Sequence, residues 1–234
     1  MKRSVKSLRM PRFRRFTNVQ LLVALALFFF FFPFVEEIKG GDIIAVILLS
    51  VVLLCGVIAV ADHRGIFVIA LVLAVPAIVG RWISYFRPDL VPPPVFLTTG
   101  LVLIAFVVAT LLRFVFRAPS VNSEVLGASI SAYLMLGIIW TIAYWLVDQL
   151  TPGGAFAFNT TGEKQSMQGF NSFYFSFITL STVGYGDITP VSKVARMLAA
   201  MEAMTGLLYV AVLIARLVSL YSSHKSTPSE KQRI

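Results

Sequence analysis

A single cysteine, Cys55, occurs in the 234 residues, so no disulfide can form within the chain. It lies inside an apolar run and reads as a lipid- or helix-facing residue. The two histidines, His63 and His224, stand far apart, without metal-ligand spacing, and read as solvated or interfacial. Charge is scarce as well. Only 13% of residues are charged, where a soluble domain carries about a quarter, and those few crowd between long uncharged blocks. Among them no nucleophile–base pair, metal cluster or phosphate-binding loop appears, so an enzyme finds no support. What remains is 58% apolar sequence, arranged as in a polytopic membrane protein. The net charge of +9 sits mostly in the first 15 residues and the tail, which fits membrane topology and gives no reason to expect a nucleic-acid partner.

A spanning helix needs about 20 mostly apolar residues. Six segments meet or approach that: Phe16 to Val35, with five consecutive phenylalanines at Phe28 to Phe32, Ile43 to Ala61, Gly65 to about Phe86, about Val95 to Phe116, Val125 to Val147, and one within Ser192 to Leu220. The third is interrupted by Pro76 and carries Arg81 near its end; the fourth follows Pro92-Pro93-Pro94. Phe170 to Ser181 is too short to span. The first segment resembles a secretory signal only superficially, because its apolar run is long and Phe34-Val35-Glu36-Glu37 follows in place of a cleavage site. It reads as a retained helix.

Seven basic residues, Lys2, Arg3, Lys6, Arg9, Arg12, Arg14 and Arg15, precede the first helix without an acid. With six crossings, Arg64, Arg113, Arg117, Lys225, Lys231 and Arg233 share their side. Glu36, Glu37, Asp42, Asp89, Asp148 and Glu163 lie opposite, with Lys39, Arg81, Arg87, Lys164 and Lys193 as exceptions. The excess of Lys and Arg puts both termini in the cytoplasm of a multi-pass protein of the cell (plasma or inner) membrane. The basic arm reads first as a topology determinant and second as a contact for anionic lipid, at about 1 kcal/mol per charge near the surface.

The chemistry concentrates in Thr182-Val183-Gly184-Tyr185-Gly186. In an ordinary strand, successive carbonyls point to opposite sides. Turning them all toward one axis needs left-handed-like backbone at alternate residues, which Gly184 and Gly186, two apart, reach at little steric cost. Val183 and Tyr185 then point away and pack behind the loop. Such backbone survives at membrane depth only within protein or along a water-filled path. Phe170 to Ser181 reads as a half-membrane helix before it, its C-terminal end favouring a cation through roughly half a negative charge.

The run Thr179-Leu180-Ser181-Thr182-Val183-Gly184-Tyr185-Gly186-Asp187 resembles the filter of potassium channels. Pro190 and Gly206 also sit at the family's positions, and the similarity covers about Val125 to Tyr221. The resemblance implies that the carbonyls of Thr182, Val183, Gly184 and Tyr185, with the Thr182 hydroxyl, replace the water shell of potassium ions. Gly186, Asp187, Tyr174, Phe175 and Ile178 would support the filter. Tyr174 and Phe175 stand where many members carry a Trp pair, and Phe175 cannot donate the hydrogen bond an indole offers. Ile178 stands where some bacterial channels place a glutamate that pairs with the filter aspartate.

One filter loop per chain requires self-assembly, and the family implies a homotetramer in the bilayer. The expectation is therefore an all-α membrane protein with six transmembrane helices, a re-entrant pore helix and a filter loop, four chains around one pore. Residues 1–15 would form a basic cytoplasmic arm, 16–117 a four-helix peripheral domain resembling a voltage sensor, 118–222 the pore domain and 223–234 a cytoplasmic tail. It resembles six-transmembrane-helix tetrameric potassium channels of bacterial type, lacking an arginine-repeat sensor and a cytoplasmic ligand-binding domain. Gating charges are each worth about 2.3 kcal/mol per 100 mV, yet Leu97 to Leu112 has none and only Arg113 and Arg117 follow. Strong voltage gating is not expected; these two arginines read as lipid-headgroup anchors.

Two gating candidates remain open. Glu202, the one acid within the sixth apolar stretch, either braces the filter through polar groups of the pore helix, the preferred reading, or lines the path and titrates. Gly206 is either a hinge or a close helix contact. Residues 148–168 read as a flexible outer turret, in which Asn159-Thr160-Thr161 matches a glycosylation acceptor. Potassium in the filter is the expected bound ion, with no organic cofactor. The alternative to a conducting channel is a non-conducting regulatory subunit of a heteromeric potassium channel.

Overall fold

The computed structural model describes residues 14–61, 64–87, 89–159 and 166–225. The expectations placed on the first 13 residues, His63, Thr160, Thr161, Glu163, Lys164 and the tail beyond 225 fall outside these, as do those on the side chains of Arg14, Arg15, Glu36, Glu37, His224 and Lys225. The described elements are α1 (Arg14–Glu37), α2 (Gly41–Ala59), α3 (Arg64–Phe86), α4 (Pro93–Arg117), α5 (Ser123–Leu150), β1 (Phe156–Phe158), α6 (Phe170–Leu180), β2 (Ile188–Pro190) and α7 (Lys193–Lys225). Five of the helices, α2, α3, α4, α5 and α7, are long and apolar enough to cross a membrane, and α1 carries a shorter apolar stretch, Val19–Val35. The chain is a mostly helical, multi-pass membrane protein.

The prolines do less damage than their chemistry suggests. Pro76 lies inside α3 and Pro33 inside α1, and neither ends its helix. In a membrane helix, neighbouring groups and local adjustment re-satisfy the freed carbonyl. α4 begins at Pro93, earlier than expected, because a first-turn proline lacks only an N–H that has no intrahelical partner anyway. Asn122 starts α5 by accepting a hydrogen bond from the Val125 amide at 2.9 Å.

The all-helical expectation needs one amendment. β1 and β2 pair antiparallel, Phe156 opposite Pro190 and Phe158 opposite Ile188, so part of the turret is an ordered strand lying against the segment after Asp187. Three-residue strands held by main-chain bonds leave no hydrophobic period to read.

Lipid is as apolar as leucine, so helices in it associate through close packing and small residues. α3 buries Ala70, Ala74 and Ala77, one stripe of a helix face. Gly56 of α2 brings its backbone against Val107 and Met135, where an added Cβ would stand 3.5 and 3.7 Å from their side chains. α4 buries Gly100, Ile104, Val107, Leu111 and Val115 along one side and packs against α3 and α5; Arg113 and Arg117 are exposed.

The phenylalanine run of α1 is split by helical geometry. Phe30 and Phe31 are exposed. Phe28, Phe29 and Phe32 face α6, with the Phe29 ring 4.9 Å from Phe173 and 4.6 Å from Phe177, edge to face. The half-length helix α6 is thereby held within the chain on its α1 side. A smaller apolar cluster of Tyr144, Phe156, Met167, Phe175 and Ile188 backs the other side.

Candidate functional site

α6 stops at Leu180 and the chain turns through its own last carbonyls. The Thr179 carbonyl accepts from the Thr182 amide at 2.9 Å, and the Ile178 carbonyl accepts from the amides of Val183 and Gly184 at 2.8 and 3.2 Å. Beyond this anchor, φ is +61° at Thr182, +53° at Gly184 and +81° at Gly186. The left-handed backbone thus falls on alternate residues. At the glycines it costs little. At a β-branched residue it is a true outlier, worth about 1–3 kcal/mol and maintained only where the surroundings over-determine it. The anchoring bonds to Ile178 and Thr179 do that here.

The far end of the loop is tied as firmly. The Asn159 side-chain amide donates to the Gly186 carbonyl at 2.8 Å, and the Asn159 backbone amide donates to the Asp187 carbonyl at 2.8 Å. The side chain of the glycosylation-triplet asparagine is therefore engaged with the loop. Asn159→Asp would put a carboxylate oxygen where the donor stood, facing a carbonyl. The bond is exposed, so a loss of about 0.5–1.5 kcal/mol is expected, measurable as a lower thermal unfolding midpoint in detergent.

Behind the loop, Phe175 is buried and its ring lies 4.9 Å from Tyr144 and 5.3 Å from Phe156, both edge to face. It fills space where an indole would donate. The Ile178 side chain is buried too, and its contribution to the loop is its main-chain oxygen. Asp187 finds its partner four residues nearer the start of α6. Tyr174 hydrogen-bonds to it, and desolvation first, then that bond, push the phenol up to about 12. The second carboxylate oxygen, Oδ1, is buried without a partner among the described residues.

Glu202 is fully buried, at the meeting of three helices. Tyr144 of α5 donates to its Oε2. Its Oε1 lies 2.6 Å from Ser176 Oγ on α6, and Ser176 Oγ also lies 2.8 Å from the Gly137 carbonyl of α5. A serine hydroxyl has one proton, and a main-chain carbonyl only accepts. Both short contacts of Ser176 are hydrogen bonds only if Ser176 donates to Gly137 and Glu202 donates to Ser176. The geometry is satisfied throughout by a neutral carboxylic acid. Four residues on, Gly206 is buried against the end of α6, where an added Cβ would stand 2.0 Å from the Leu180 carbonyl oxygen.

The sequence brought out the loop residues, Glu202 and Gly206, and Asn159 only as part of a glycosylation triplet, but not Tyr144, Ser176 or Arg216. Arg216 near the end of α7 donates to the carbonyls of Phe116 and Ala118 at 3.0 and 2.9 Å, closing α7 onto the α4–α5 turn. These contacts join residues from 26 to 100 positions apart, and no local pattern announces such partners. Among the described residues no cluster of His, Cys, Asp or Glu could hold a metal ion. The loop's own oxygens are main-chain carbonyls and the Thr182 hydroxyl, with no carboxylate between Thr182 and Gly186.

A half-length helix feeding a loop of alternating handedness between two spanning helices is the architecture of an ion-channel pore region. A family model described as "Ion channel" matches residues 130–223, spanning most of α5, α6, the loop and α7, and it marks a channel rather than an enzyme. The chain is distantly similar to two-pore potassium channel 4 of Arabidopsis thaliana, 43% identical over 49 residues, which are 21% of this chain and 17% of that protein. To two pore potassium channel b of Oryza sativa subsp. japonica it is 29% identical over 93 residues, 40% of this chain and 23% of that protein. The matched part therefore spans less than a quarter of either plant protein.

Proposed function

We propose that the chain is one of four identical subunits of a potassium-selective channel that conducts passively through Thr182 to Gly186. The observation that carries this reading is the left-handed backbone at Thr182, Gly184 and Gly186, which suits a run of carbonyls turned toward one axis, in a segment distantly similar to potassium channels. Thr182, Val183, Gly184 and Tyr185 would then supply the oxygens that replace potassium's water shell. Gly186, Asp187, Tyr174, Phe175 and Ile178 would hold that strand in place.

Assembly is favoured by what one chain leaves uncovered. Only 11% of the apolar window of α7 is buried, against 56% for α5. Tyr185 is 73% exposed and Val183 51%, on the side that would pack against neighbouring copies. Large apolar faces of this kind mark interaction surfaces, and identical subunits close by rotation. Residues 16–117 would surround a pore domain of 118–222, with both termini in the cytoplasm. The exposed positions of Arg113 and Arg117 at the end of α4 fit lipid anchoring more closely than movement through the field.

The test is flux into liposomes containing only this chain. Potassium should enter at least about tenfold faster than sodium, a discrimination near 1.4 kcal/mol, with little change between two membrane voltages. Sodium passing as readily as potassium would overturn selectivity, and a steep rise with voltage would overturn the gating reading. No flux from folded, assembled protein would favour the alternative, a non-conducting regulatory subunit of a heteromeric channel.

A further inference from the structure

A cavity of about 540 Å³ lies at the end of the bundle nearest the loop, between helices α1 to α4 and the α5–α6 pair. Its size falls within the range of small-molecule sites, about 300–1,000 Å³. Toward the helix ends its lining is polar, with Asp42, Ser84, Tyr85 and Asn171; toward the helix middles it is apolar, with Leu53 and Ile104. From Asp42 to Leu53 is about 16 Å along α2. A polar end and an apolar depth of that length suit an amphiphile.

Among the described residues, Arg81 is the one basic residue of the lining and Asp42 the one acid. The Arg81 guanidinium lies over the rings of Phe96, 5.2 Å away, and Trp145, 5.7 Å away. Aromatic faces attract and orient a cation, but they occupy none of its five N–H donors. Among the described residues those donors have no hydrogen-bond acceptor. Asp42 makes no ion-pair contact with Arg81. An arginine at membrane depth is costly unless something accepts its hydrogen bonds. A lipid phosphate would do so, and a guanidinium fork matches phosphate oxygens.

We propose that this cavity binds a zwitterionic phospholipid of the phosphoethanolamine class. Its phosphate accepts from Arg81, its ammonium faces Asp42, and one acyl chain runs toward Leu53 and Ile104. Asp42 decides the headgroup. A lipid with net negative charge would satisfy Arg81 but set no cation against Asp42. The same lipid would tie α2 and α3 to the start of α6, since all three line the cavity.

The experiment reads bound lipid, independently of whether the protein conducts. The full chain is purified from nanodiscs of equal phosphatidylethanolamine and phosphatidylglycerol, and retained lipid is counted by native mass spectrometry. Wild type should retain phosphatidylethanolamine in preference. Arg81→Gln should reduce that retention about tenfold, the equivalent of about one charge-assisted hydrogen bond. Asp42→Asn, at an exposed position, should keep lipid but lose the preference, and it decides the matter if Arg81→Gln does not fold. Equal or greater retention of phosphatidylglycerol by wild type, retention unchanged in Arg81→Gln, or a cavity that keeps neither lipid would each overturn the proposal.

Discussion

Gly206→Ala is expected to lower the unfolding midpoint sharply and abolish flux while leaving membrane insertion intact. The methyl group would stand 2.0 Å from the carbonyl oxygen of Leu180 and 3.0 Å from its carbonyl carbon. These are main-chain atoms at the very end of α6, so no rotamer change can make room. Either α7 or the end of α6 must move. Overpacking ordinarily costs about 1–3 kcal/mol when side chains can adjust, and a backbone collision belongs at or above the top of that range.

The displaced group is the carbonyl layer from which the loop hangs. Ile178 and Thr179 hold the amides of Thr182, Val183 and Gly184, so a shift there releases the strained φ at Thr182. A lower unfolding midpoint together with loss of flux fits a packing role for Gly206. A hinge alone would alter channel opening in single-channel recordings and leave the unfolding midpoint in place. That outcome would sink the packing account.

The second large effect concerns Glu202. Glu202→Ala removes the acceptor of the Tyr144 hydroxyl and one partner of Ser176, in a pocket with no solvent access to replace them. The buried Tyr144 hydroxyl left without an acceptor costs about 1–3 kcal/mol, and the cavity where the side chain stood adds to that loss, while Ser176 keeps its bond to the Gly137 carbonyl. Glu202→Gln should behave quite differently. A glutamine side chain presents an oxygen to Tyr144 and an N–H to Ser176, the pattern assigned to the neutral acid. Near-native unfolding, near-native flux and an unchanged response to acid are expected. Abolition of an acid block by Glu202→Gln would instead identify the carboxyl as a titrating group of the conduction path. The comparison between the two variants matters most, because Glu202→Ala leaves Tyr144 without an acceptor and Glu202→Gln keeps one.

Much of the architecture was legible because membrane helices are written locally. An uncharged block of about 20 residues is a helix by length alone, and five of the six expected crossings appear as helices of spanning length and apolarity. Helix limits were less legible. Pro33 and Pro76 were tolerated and Pro93 recruited as a starter, outcomes that depend on what the freed groups meet around them. The turret was misread in part, since the pairing of Phe156–Phe158 with Ile188–Pro190 joins two segments whose own composition carries no strand period.

The left-handed positions at Gly184 and Gly186 follow from glycine's missing Cβ, a property of the residue wherever it sits; the one at Thr182 was not foreseen. It depends on where the α6 carbonyls stand, and those depend on what supports α6. The support comes from Phe29, Tyr144, Glu202 and Gly206, on three other helices. The sequence by itself therefore determined the apolar segments that build the helices and the two glycines that permit an unusual strand. Only the tertiary structure decided which buried groups hold that strand, because hydrogen bonds and close approaches between distant residues obey geometry and leave no trace in local order.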